Sequence, residues 1–175
     1  MAINDDLAKI VGRAWLFGSD ISTDMLSPGQ YVHHPMEERL THVLESARPE
    51  FAGQVRPGDI VVAGPNFGCG SSRESAPQHL KDLGVAAVIA DSLARIFARN
   101  AIAIGLVAIA CPTISEMVGD GDIIEVDVIT GRITIPARNV ILDADSIPEP
   151  MLDVLRHGGI ESMLAAIGAE QVQDI

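Results

Sequence analysis

Positive charge is what this chain lacks most: 12 Lys and Arg stand against 24 Asp and Glu, a formal net charge of −12. Nucleic-acid binding needs clustered cations to meet phosphates, so that class of partner is disfavoured. The same imbalance repels anionic substrates at long range, and any anion site must be made positive locally, by backbone N–H groups and arginine or by a partner chain. Aromatic residues make up only 3% of the chain, so the core is expected to be built from Ile, Val, Leu and Ala. Cys69 and Cys111 are too few for a disulfide framework and lack metal-ligand spacing, which suits a reducing compartment and points to the cytoplasm. No basic segment leads into an apolar one at the N-terminus, and no apolar run reaches membrane-spanning length, so no membrane role is expected. There is no internal repeat to support a solenoid. The length of 175 residues fits one domain.

Against these absences stands one distinctive run, GPNFGCGSSRESAP at residues 64–77. It follows Ile60-Val61-Val62-Ala63, short, β-branched and closed by glycine, which reads as a buried strand. Gly64, Gly68 and Gly70 allow positive φ and leave peptide N–H groups uncovered, so the segment can fold around an anion. Ser71, Ser72 and Arg73 add two hydroxyls and a five-donor fork, a set suited to a carboxylate or phosphate. Pro77 locates the helix that follows. A cap at Ser71, with Glu74 closing a capping box, would put the proline beyond the first turn, where it removes a hydrogen bond. A cap near Ser75 keeps Pro77 in the first turn, with Ala76, Leu80 and Leu83 on one face and a stop at Gly84. The reactive groups then sit at a helix N-terminus, which favours anions. A plain glycine-rich turn with serines acting only as caps fits the local string equally well. A nucleotide loop fits less well, because no Gly-Lys-Ser/Thr follows the glycines and no GxGxxG occurs.

The remaining chain reads as alternating strands and helices. Residues 12–18 have the alternation of a first strand, with residues 1–10 frayed. Residues 19–29 form a loop in which Asp20, Thr23 and Asp24 can serve as turn-forming side chains. Residues 31–35 read as extended and proline-terminated. His33 and His34 would then point to opposite sides, which argues against a metal clamp but lets one face a ligand. From Met36, the spacing of Leu40, Val43, Leu44 and Ala47 predicts an amphipathic helix ended by Pro49. The apolar runs at 85–90 and 105–110 are two further buried strands. Between them a helix starts near Asp91 or Ser92, with Leu93, Ile96, Phe97 and Ala101 inward and Arg95 and Arg99 outward. Residues 122–128 and 132–135 predict a hairpin, 140–142 a further strand, and 151–156 and 160–168 two helices before a loose tail at 169–175. The expected class is α/β, one domain with a mixed sheet of parallel βαβ units flanked by helices.

The blocks GRAWLFGSDISTDMLSPGQY, RPGDIVVAGPNFGCGSSRESAP and VIADSLARIFARNAIAIGL, in this order across residues 11–165, resemble the small subunit of 3-isopropylmalate dehydratase and its relatives. That subunit is the swivelling domain of the aconitase superfamily, and the resemblance implies a swivelling β/β/α architecture. It also implies a hydro-lyase active only with a separate large subunit that holds a [4Fe-4S] cluster through three cysteines. The two cysteines here, far apart in sequence, could not hold such a cluster, so no metal is expected in this chain. By the match, Ser71 corresponds to the catalytic base, and Ser72 and Arg73 to contacts with substrate carboxylate, the substrate being a small hydroxy-dicarboxylate. Tyr31 and His33 fall in the family's substrate-selecting loop, while Asn66, Gly68, Gly70, Thr23 and Asp24 are expected to support the catalytic loop. The family reads Tyr-Leu-Arg where this chain has Tyr31-Val32-His33, and histidine where it has Ser75. A histidine in place of a permanent guanidinium fork favours a malate with a small apolar substituent over a substrate with an extra carboxylate. Cys69 as a nucleophile has no histidine in its loop to activate it. The rival reading is a non-catalytic anion-binding or regulatory module built on the same loop.

Overall fold

Every residue of the strand Ile60–Ala63 is buried, because its two faces meet two different cores. The computed structural model describes residues 9–173. Among these, β1 (Lys9–Phe17), β2 (Ile60–Ala63), β3 (Ala87–Ala90) and β4 (Val107–Ala110) run parallel, and β5 (Ile123–Asp127), β6 (Arg132–Ile135) and β7 (Val140–Asp143) extend the sheet antiparallel. The order across this seven-stranded sheet is β4-β3-β2-β1-β5-β6-β7. β1 joins the two halves: Ala14 to Phe17 pair with β2, and Lys9 to Arg13 pair with β5. Short helices α1 (Thr23–Leu26), α2 (Met36–Thr41) and α3 (Phe51–Gln54) fill the β1–β2 connection. Next come α4 (Ser75–Asp82) between β2 and β3, α5 (Arg95–Ala103) before β4 and α6 (Ile114–Met117) after it, and α7 (Glu149–Arg156) and α8 (Ile160–Gln173) close the described chain.

Alternation along each strand sends side chains to opposite faces. Ile60 and Val62 join a core without aromatic residues, together with Ile89, Ile109, Ile124, Ile133 and Leu152. Val61 and Ala63 face the other core, which holds Trp15, Phe17, Phe51, Phe67 and Phe97. The expectation of aliphatic packing therefore holds on one face, while the scarce aromatics gather on the other. Their rings meet edge to face, with Trp15 and Phe51 centroids 5.2 Å apart and Phe67 and Phe97 also 5.2 Å apart. At the start of β2, buried Asp59 accepts from Trp15 Nε1 at 2.8 Å, Arg13 at 2.9 Å and the Arg56 N–H at 3.0 Å. Burial pushes that carboxyl up, and these three bonds more than offset it, leaving it below its ordinary value.

Several expected elements end elsewhere, each for a visible reason. The helix predicted through Ala47 stops at Thr41. Leu44, fully buried at φ 59°, gives its N–H to the Met25 carbonyl at 2.8 Å, a contact that a continued helix could not make, and Ala47 is exposed. The segment expected to be extended after Tyr31 is helical instead: Gly29–Tyr31 is a 3₁₀ turn, Val32 continues it, and the premise that His33 and His34 oppose each other does not apply. α5 begins at Arg95, later than predicted, because Ser92 and Ala94 bond Phe67 on either side, and Ile96 is 53% exposed instead of inward. α3 was not foreseen. The first strand reaches back to Lys9, the next two apolar runs become strands only at Ala87 and Val107, and α8 runs through Gly168 to Gln173. The frayed start expected at residues 1–10 falls, from 1 to 8, outside the described residues.

Candidate active site

The loops leaving the C-terminal ends of β1, β2 and β3 are zipped together by backbone hydrogen bonds. Asp20 N–H donates to Pro65 O at 2.9 Å, Gly68 N–H to Ile21 O at 2.7 Å and Thr23 N–H to Cys69 O at 2.8 Å. On the other side Ala94 N–H donates to Phe67 O at 2.8 Å. Asn66, at φ 66°, donates its N–H to the Ser92 hydroxyl oxygen at 2.9 Å and its side-chain amide N–H to Asp20 Oδ1 at 2.7 Å. Gly68, at φ 78°, lies so close to the Phe97 ring that any Cβ would overlap it. Asn66, Gly68 and Gly70, all at positive φ, bend residues 64–70 over the aromatic core and carry the chain out to Ser71.

Beyond that bend the loop meets α1. Buried Thr23 donates its hydroxyl to Ser71 O at 3.0 Å and lies 3.4 Å from Ser71 Oγ. Since the one Thr23 proton goes to the carbonyl, any bond between the two hydroxyls has Ser71 as donor. Ser71 and Ser72 are exposed, and the Ser72 side chain makes no hydrogen bond among the described residues. Arg73 turns back: its Nη1 meets Asp24 Oδ1 and donates to Ser27 O at 2.9 Å. The hydrogen bond from Arg73 holds the Asp24 carboxyl below its usual range. Nη1 is thereby used up, and Nη2 and Nε remain to bind an anion. Gly29 leaves the flank of Nη2 clear, since a Cβ there would stand 3.5 Å from it.

The cap of α4 falls one residue before Ser75, close to where it was expected. Glu74 occupies the cap position without a side-chain bond, and the Ser75 hydroxyl pairs with Ser27 Oγ at 2.8 Å instead. Pro77 does sit in the first turn. Ser27 and Gly29 are site residues that sequence reasoning passed over, since a Ser-Pro-Gly string signals only a turn. Tyr31 and His33 are not drawn onto the Ser71 loop. Tyr31 stacks on His42 with centroids 3.6 Å apart and meets His34 edge-on, whereas His33 is exposed. A hollow of about 270 Å³ lined by Asp24, Gly29, Gln30 and Glu45 lies between that turn and the Arg73 ion pair. A cleft of about 390 Å³, not lined by Ser71, lies between α4, α5 and the start of α8. There Lys81 donates its ammonium to the Ile104 and Gly158 carbonyls.

The residues present do not fit an iron–sulfur cluster. Cys111 is buried, its thiol pushed up to about 11 by burial and by Asp91, Asp145 and Asp143, and Cys69 sits alone in the loop. Among the described residues no group of three or more His, Cys, Asp or Glu could hold a metal ion.

Comparison with known proteins shows the family. Residues 21–113 match the aconitase C-terminal domain. The 3-isopropylmalate dehydratase small subunit 2 of Archaeoglobus fulgidus is 49% identical over 91% of this chain and 97% of its own length. The isopropylmalate/citramalate isomerase small subunit of Methanocaldococcus jannaschii is 46% identical over 92% and 96%, and the homoaconitase small subunit of Methanothermobacter thermautotrophicus is 49% identical over 86% and 88%. A crystal structure of 3-isopropylmalate dehydratase from Methanocaldococcus jannaschii superposes with a TM-score of 0.88 at 38% identity, covering 95% of this chain and 99% of that one. A sheet of parallel βαβ units, a glycine-bent loop at its C-terminal edge and this near full-length likeness lead to one conclusion: the chain belongs to the aconitase C-terminal domain family.

Proposed function

We infer that this chain is the small subunit of a hydro-lyase of the isopropylmalate-isomerase and homoaconitase type, with Ser71 as the base and Arg73 as the carboxylate anchor. The observation that carries this reading is the placement of an exposed Ser71 hydroxyl two residues from an arginine with one edge unpaired among the described residues, on a loop fixed by the loops after β1 and β3. Dehydrating a hydroxy-dicarboxylate removes a proton next to a carboxylate and expels hydroxide. Nη2 and Nε of Arg73 bind the carboxylate in a two-point grip, and Ser72 adds a hydroxyl. A neutral serine is a weak base. In the lone chain Ser71 is a solvated alcohol, and its alkoxide becomes accessible only when the guanidinium and loop dipoles act in a pocket sealed from water. A large subunit supplies that seal, and the family resemblance assigns to it the [4Fe-4S] cluster that would help hydroxide leave. His33 in place of a second guanidinium favours a malate bearing a small apolar group.

The test is reconstitution with the large subunit under anaerobic conditions and assay on alkyl-malates. Ser71→Ala is expected to lower kcat by roughly 10²-fold or more with little change in KM. Near wild-type turnover in this variant eliminates Ser71 as the base.

A further inference from the structure

α4 carries Ser75 and His79 four residues apart, one turn, and therefore on one face. These two side chains grip consecutive residues at the end of α1: Ser75 Oγ pairs with Ser27 Oγ at 2.8 Å, and His79 Nδ1 with Leu26 O at 3.2 Å. The segment held this way carries both acceptors that orient Arg73, the Asp24 carboxylate and the Ser27 carbonyl. It also carries Thr23, which contacts Ser71.

We propose that His79 is a positioning residue for Arg73, a neutral imidazole protonated on Nδ1 that, with Ser75, clamps α1 to α4 and so sets where the guanidinium points. This rests on the reading of Arg73 as the substrate-carboxylate group. A backbone carbonyl only accepts, so the bond to Leu26 places the proton on Nδ1. Nε2 is left as a bare lone pair, buried and without a hydrogen-bond partner among the described residues, on a side chain 1% exposed. Leucine would fill such a space without burying a polar atom. A histidine that leaves one nitrogen unused is accounted for by the single bond it makes. Burial holds the imidazole below its ordinary value; the bond to the Leu26 carbonyl opposes that shift, Arg39 on α2 adds to it and Asp82 on α4 opposes it.

His79→Asn keeps a donor near the Nδ1 position, His79→Gln moves it toward Nε2, and His79→Leu removes it. Proton–nitrogen NMR of the full chain reads the Arg73 guanidinium directly. Resolved, slowly rotating Nη signals are expected in the parent and in His79→Asn, and averaged ones in His79→Gln and His79→Leu. Arg73 signals that stay resolved in both His79→Leu and His79→Gln overturn the proposal, and Ser75→Ala, the other jaw, provides the same readout should His79→Leu not fold. In the assembled enzyme, His79→Leu is expected to raise KM for an alkyl-malate by about 10-fold with kcat changed less than about 3-fold. A loosened Arg73 with unchanged KM leaves the clamp intact as structure but overturns Arg73 as the carboxylate anchor, and with it the positioning role.

Discussion

Residues 64–74, which carry Arg73, and the turn from Gly29 to His42, which starts beside the Arg73 guanidinium, are held in unlike ways. The first is held by backbone, through hydrogen bonds to the loops after β1 and β3 and a glycine wedged against Phe97. The second is held by side chains at the surface: Tyr31 stacked on His42, and the His34–Glu38 and His42–Glu45 pairs. A backbone-held loop cannot change without disturbing the core, whereas a surface turn can exchange residues at small cost. The contrast suits a division in which one loop does shared chemistry and the other selects among substrates.

The sharpest way to break this comparison is Gly68→Ala. A Cβ in the left-handed region and in the Phe97 ring should cost about 2–4 kcal/mol in urea unfolding. A loss below about 0.5 kcal/mol would show that the loop is not anchored by the fold. A smaller effect is expected at the ion pair. Asp24 should titrate below 3.8 in carbon-detected NMR, and return toward 3.8 in Arg73→Ala. Because its folded pKa is depressed, the pairing contributes above 3.8 and is lost as pH falls through the folded value. With Asp24 69% exposed, that contribution is small and weakens with salt. The smallest effect on stability belongs to the turn. His33→Arg should change unfolding free energy by no more than about 0.5 kcal/mol. In the assembled enzyme it should shift kcat/KM toward substrates with an additional carboxylate, and an unchanged preference would remove His33 from substrate selection.

Much of this arrangement is written locally. The apolar runs at Ile60, Ala87 and Val107 are strands because short β-branched stretches bounded by turn-forming residues have little alternative, and Pro77 places the start of α4. The pairing of Ser75 with Ser27, of His79 with Leu26 and of Arg73 with Asp24 was not legible, since each joins residues more than 45 positions apart. The helix lost after Thr41 failed for the same reason: periodicity at Leu40, Val43 and Leu44 is a local signal, and the Met25 carbonyl outbid it from a distance.

Taken alone, the amino-acid order determined which segments form strands, where the chain must bend on glycine, and which hydroxyls and guanidinium stand on one loop, because those properties follow from backbone sterics and side-chain chemistry over a few residues. Only the tertiary structure decided that every Phe and the Trp fall on one face of the sheet, that Ser71 is left in solvent, and that Arg73 is half engaged by Asp24 and Ser27. Those outcomes depend on which loops the parallel strands deliver to the same edge, a geometry that no local window contains.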